Sequence, residues 1–233
     1  MQEWYQVTNI DRIDSPALLV YPERIEENIR LVKEMAGDVS KLRPHVKTNK
    51  MDEVCRMMIR SGITKFKCAT IAEAEMLAIA GAPDVLLAYQ PVGPKLHRLI
   101  DLMETYPGTH FSCLVDHPEN ALYLNAQAEK RGVVIPLFID LNVGMDRTGI
   151  SPEKASGLVR EILQMKNLRI IGLHGYDGHI HDCDPVERQK NSDISFTAAE
   201  KVFREIQPWF DEPLVIVMGG NAHFSDAYPP STL

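Results

Sequence analysis

The chain has 233 residues, 45% of them hydrophobic and 24% charged, which is enough for one substantial core of ordinary globular composition. Its net charge of -7 and the lack of any basic run exclude a phosphate-backbone footprint, so nucleic acid is not an expected partner and an anionic ligand must be held locally. No apolar run reaches bilayer length, and Met1-Gln2-Glu3-Trp4-Tyr5-Gln6 lacks the basic-then-apolar order of a signal peptide, so a cytoplasmic location without membrane contact is expected.

Short β-rich runs alternate with longer amphipathic stretches. Strands are expected at residues 17–21, 43–47, 65–70, 85–90, 110–115, 137–141, 170–176 and 214–218, and helices at 22–36, 71–80, 94–106, 118–131, 152–165 and 185–206. Proline near the first turn of several helices costs no hydrogen bond there, and Gly62, Gly81 and Gly132 stand where C-caps belong. Regular alternation requires parallel strands with right-handed crossovers, and runs such as Val85-Leu86-Leu87-Ala88 read as strands buried on both faces. A barrel is preferred to a doubly wound sheet. No Gly-x-Gly-x-x-Gly turn is present, and chemically loaded residues follow the ends of several strands, as a barrel mouth requires. One domain covers residues 1–233. Cys55, Cys68, Cys113 and Cys183 are far apart with no Cys-x-x-Cys pair, so they read as reduced, mostly buried thiols rather than a zinc ribbon or disulfide framework.

The most informative stretch is Leu42-Arg43-Pro44-His45-Val46-Lys47-Thr48-Asn49-Lys50, read as a strand delivering one lysine into a turn. Partial burial there lowers the pKa of an ammonium and makes Lys47 a candidate Schiff-base residue, although a lysine at a strand end can equally serve as a cap or ion pair. Lys50 reads as a solvated lysine at a helix start. Asn142-Val143-Gly144-Met145-Asp146-Arg147-Thr148-Gly149 places Arg147 between glycines that let the backbone pass close to a ligand; the alternative is a loop arginine paired with Asp140 or Asp146. Gly172-Leu173-His174-Gly175-Tyr176-Asp177-Gly178-His179 offers Tyr176 at the mouth and, in the following loop, His179 as the preferred general base, with His181 in reserve. The Gly219-Gly220-Asn221 turn carries bare amides able to cradle a phosphate dianion, against the simpler reading of a tight turn.

These three stretches, in this order, resemble the D-threonine aldolase and D-serine dehydratase family, pyridoxal 5'-phosphate enzymes related to the alanine racemase barrel. The resemblance implies an alanine racemase-like (β/α) TIM-type barrel in which Lys47 holds pyridoxal 5'-phosphate as a Schiff base and catalyses with His179. It implies that Arg147 faces the cofactor's phenolate oxygen, that Tyr176 lies beside its ring, and that Gly219, Gly220 and Asn221 serve its phosphate. Related enzymes usually carry Gly-Gly-Ser-Pro-Thr at that last turn, so hydroxyl donors are missing here. The implied activity is retro-aldol cleavage of a D-β-hydroxy amino acid to glycine and an aldehyde. Dehydratase-type elimination and racemisation remain open beside it, as does a non-catalytic pyridoxal-phosphate carrier, a role known for single-domain barrels of this length. A metal-dependent hydrolase using His174, His179, His181 and Asp182 is the remaining alternative.

Full-length members of the family continue past this turn with a barrel-closing strand and a β-domain that supplies divalent-metal ligands (manganese, magnesium or zinc) and part of a homodimer's active site. The ending Asp226-Ala227-Tyr228-Pro229-Pro230-Ser231-Thr232-Leu233 does not read as such a strand. The expectation is therefore a barrel incomplete at its last strand, with no metal ligand assigned, weak or inactive alone and prone to self-association.

Overall fold

A computed structural model describes residues 5–219, so the expectations for Gly220, Asn221 and the C-terminal segment lie outside the described residues. In chain order the principal elements are α1 (Pro22–Ala36), α2 (Asp52–Arg60), β1 (Lys65–Cys68), α3 (Ile71–Ala80), β2 (Asp84–Leu87), α4 (Pro94–Thr105), β3 (His110–Val115), α5 (Pro118–Arg131), β4 (Ile135–Leu141), α6 (Pro152–Ile162), β5 (Leu168–Gly175), α7 (Pro185–Ile206) and β6 (Val215–Met218). All strand pairs are parallel and neighbours follow sequence order, β1-β2-β3-β4-β5-β6. This is the winding of an alanine racemase-like barrel. Among the described residues it is an open, curled part-barrel with β1 and β6 at its edges.

The pleat sorts the strands into two faces. Outward residues such as Phe66, Cys68, Val85, Cys113, Leu137, Ile139 and Leu173 join the large core beneath the helices, while Leu86, Leu114 and Phe138 form a small inner cluster with Ala88, Ile171 and Val217. Below them Arg43 grips Asp84 with two parallel bonds of 2.6 and 2.9 Å and lies over the Phe138 ring, forming the floor. A register shift opposite Leu137/Phe138 leaves Ile171 as an extra residue on β5, after which Phe138 pairs with Gly172 and Asp140 with His174. Gly172 has no substitute: a Cβ there would lie 2.0 Å from the Val215 carbonyl oxygen and 2.8 Å from the Phe138 ring.

Two expected strands are corrected. Residues 17–21 form none, and Leu18, Leu19 and Val20 are exposed with no ladder beside them. Residues 43–47 contribute only a single parallel bridge, His45 to Lys67, before turning into a 3-10 helix at Val46–Thr48. Pro44 has no N–H to give a ladder, and the Lys47 N–H donates to the His45 ring at Nδ1 (3.2 Å), so the backbone donors a strand would need are absent or diverted. The Pro44 carbonyl still accepts from the Lys67 N–H at 2.8 Å, which fixes the turn against β1. Cys55, Cys68 and Cys113 are buried and free, as expected, whereas Cys183 is exposed. No helix among the described residues is long and apolar enough to cross a membrane.

Candidate active site

The site grows from the C-terminal ends of the strands. Tyr176 follows β5, and three cations lie over its ring: Arg147 with its guanidinium carbon 5.2 Å from the centroid, Lys67 with Nζ at 5.7 Å and Lys47 with Nζ at 5.8 Å. The structure thus brings together Lys47, Arg147 and Tyr176 from separate parts of the chain. Gly178 lies close against the ring: a Cβ there would fall 2.2 Å from Tyr176 Cε1.

The Arg147 loop is built from its own side chains. Asn142 Oδ1 accepts from the N–H groups of Gly144 and Asp146 at 3.1 Å each, and its Nδ2 donates to Asp146 Oδ1 at 2.8 Å. Gly149 then donates to Asp116 Oδ2 at 2.8 Å, while the other Asp116 oxygen takes a bond from Gln90. With Asp146 held by Asn142 and Asp140 held by His174, the Arg147 guanidinium is directed at Tyr176. His179 is exposed and rests on this same loop: a Cβ on Gly144 would come within 2.7 Å of its Nε2. Gly219, at φ 134, has open space where a Cβ would be.

Lys47 is exposed, so the partial burial expected of it falls on Lys67. Burial pushes the Lys67 ammonium down to about 8; Lys47 and Arg43 lower it further, while Asp140 and Asp177 oppose them. Next to it, His174 Nδ1 and Asp140 Oδ1 are 2.6 Å apart with both side chains 5% exposed, and His174 Nε2 is buried with no hydrogen-bond partner among the described residues. Burial lowers the His174 pKa despite Asp140, so the ring is neutral and Nδ1 donates to the carboxylate. His45 is lowered to about 4, first by burial and then by Lys67, Lys47 and His174.

Lys67 and the Asp140–His174 pair were not singled out from sequence as site residues. The signal for Lys67 was present: Lys65-Phe66-Lys67-Cys68 alternates, with Phe66 and Cys68 buried outward, so its lysines point into the barrel. The hydrolase cluster does not form. His174 is engaged with Asp140, His179 packs against Gly144, Asp182 accepts from Asn191 Nδ2 at 2.9 Å, and no group of three His, Cys, Asp or Glu side chains suited to a metal is found among the described residues.

An open cleft of about 980 Å³ runs along the ends of β2, β3 and β4, lined by Ala88, Tyr89, Gln90, Asp116, Asp140 and Arg147 among others. It meets the group around Tyr176 at Arg147. Amines to bond a carbonyl, a guanidinium, an aromatic ring and an unpartnered imidazole nitrogen together form a donor set that fits pyridoxal 5'-phosphate.

The alanine racemase, N-terminal domain family matches residues 20–210. The chain belongs to that family. It is 26% identical over 172 residues to a D-threonine aldolase from Arthrobacter sp., covering 72% of this chain and 45% of that protein. It is 28% identical over 186 residues to a 3-hydroxy-D-aspartate aldolase from Paracoccus denitrificans, covering 76% and 46%. The crystal structure of D-threonine aldolase from Filomicrobium marinum superposes with a TM-score of 0.83 at 26% identity, over 92% of this chain and 58% of that one. The chain therefore spans less than half the length of these curated relatives, and other proteins it resembles are named a D-threo-3-hydroxyaspartate dehydratase and alanine racemases.

Proposed function

We propose that this family member is the barrel part of a pyridoxal-phosphate-dependent lyase acting on D-β-hydroxy amino acids, in the manner of a D-threonine aldolase. The convergence of Lys47 and Arg147 on Tyr176 at one mouth carries this reading. Pyridoxal 5'-phosphate, when bound through an amine, withdraws electrons from the bonds at the substrate's α-carbon.

The chain's own residues then have distinct tasks. Lys47 offers its Nζ from a turn that is exposed, and so can be reached and exchanged by a substrate amine. Arg147 presents fixed donors to an oxygen on the ring, and Tyr176 provides a face for planar packing. Asp140 orients His174 so that Nε2 is available as an acceptor within the barrel. Gly219, Gly220 and Asn221 are proposed for the phosphate, His179 for proton transfer in the loop, and a D-amino acid as the small-molecule partner. A homodimer in the cytoplasm, completed by a divalent metal held outside this chain, is the proposed form of a longer protein.

Incubation with D-threonine, D-serine and their L-isomers, with and without manganese or magnesium, tests this. Glycine and acetaldehyde from D-threonine alone support the aldolase; ketoacid from D-serine supports elimination, and interconversion of isomers supports racemisation.

A further inference from the structure

Lys67 stands apart from the residues so far given work. It is half-buried, its backbone is locked by the Pro44 carbonyl and by the bridge to His45, and its Nζ lies 5.7 Å from the centroid of the ring that Lys47 approaches at 5.8 Å. We propose that Lys67 is a second functional amine of this site, a proton-transfer group that takes the substrate's β-hydroxyl proton and returns it to the α-carbon.

The proposal rests on the aldolase-type reading and names the base that this reading lacks inside the barrel. His179, the other candidate, is exposed where it rests on the Arg147 loop, whereas Lys67 is fixed on a strand with its Nζ over the aromatic ring. The charged and titratable groups around the amine come from every neighbouring element: Arg43, His45 and Lys47 from the segment before α2, Asp140 from β4, and His174 and Asp177 from β5 and its following loop. Burial together with Lys47 and Arg43 outweighs the two carboxylates, leaving the amine able to exchange a proton near neutral pH. With a cofactor bound there to act as electron sink, neutral Lys67 would take the hydroxyl proton as the carbon–oxygen double bond forms at Cβ and the Cα–Cβ bond breaks. The Lys67 ammonium would then return that proton to Cα, restoring the neutral amine, and glycine would leave when the Lys47 amine displaces it. No oxidant or further reactant is needed.

The test begins without turnover. Lysines are dimethylated with ¹³C-formaldehyde, and the Lys67 resonance is assigned by its loss in Lys67→Arg. The expected result is a resonance titrating near 8; titration in the usual lysine range near 10.4 overturns the proposal. A second arm measures exchange of the glycine α-proton with deuterium in the cofactor-loaded chain. Lys67→Met should keep the Lys47-bound chromophore and slow exchange by about 10²-fold or more, with loss of the pH limb near 8. Undiminished exchange in Lys67→Met overturns the role of Lys67 and leaves the aldolase reading standing. Lys67-dependent exchange accompanied by ketoacid from D-serine or by interconversion of isomers, in place of glycine and acetaldehyde from D-threonine, instead removes the aldolase reading and keeps Lys67 as the proton carrier at Cα.

Discussion

His45 and Lys67 pair through one isolated parallel bridge, and that pairing sets Lys47, two residues on, against the same tyrosine ring that Lys67 faces from β1. A turn and a strand are thereby registered so that one exposed and one half-buried amine share a site. The division is chemically useful, because the exposed amine can be exchanged by substrate while the desolvated one exchanges protons near neutral pH.

Acid should destabilise the fold through His45 and His174. Both have folded pKa values below the ordinary histidine value, so below about pH 6.5 the unfolded chain binds more protons and stability falls. For His45 the loss develops from about pH 6.5 down to about 4. Urea titrations at pH 7.5, 6 and 5 should show a falling midpoint, and the His45→Gln variant should lose less over that window than the wild-type chain. Equal loss in both would assign the acid sensitivity elsewhere.

Gly172→Ala should cost several kcal/mol, on the order of a severe overpacking change, because its Cβ would meet the Val215 carbonyl oxygen at 2.0 Å. β6 must shift away from β5, so amide exchange in residues 215–218 should accelerate with the loss of stability. An alanine variant with the wild-type denaturation midpoint would contradict the β5–β6 pairing.

Much of this arrangement is legible in the sequence, for reasons that particular residues make clear. Helices α1, α3, α5 and α7 occupy the expected residues because amphipathic spacing and terminal signals agree: proline opens α1, α5 and α7, and glycines close α1, α3 and α5. The segment at 43–47 reads as a strand by composition, but Pro44 and the His45 ring remove the backbone donors, a competition that periodicity does not register. Lys47, Arg147 and Tyr176 could be singled out because each sits in a chain-local motif. The Asp140–His174 contact spans 34 residues and depends on the β4–β5 register, including the extra residue Ile171, so no local pattern announces it.

Arg147→Ala should leave the melt cooperative, since this exposed loop is held by Asn142, Asp116 and its glycines rather than by the guanidinium. Its stability should change by no more than a surface substitution does, about 0.5 kcal/mol, while the absorbance of the bound cofactor shifts. An unchanged spectrum would reduce Arg147 to a surface residue packed on Tyr176.

Lys47 as the amine that bonds the cofactor is the central proposal. Loading the chain with pyridoxal 5'-phosphate, reducing with borohydride and mapping the peptides tests it directly. A single phosphopyridoxyl group is expected on Lys47, in the peptide carrying Pro44-His45-Val46-Lys47-Thr48, with Lys67 unlabelled. A label on Lys67 or Lys50, or on no lysine, would contradict it.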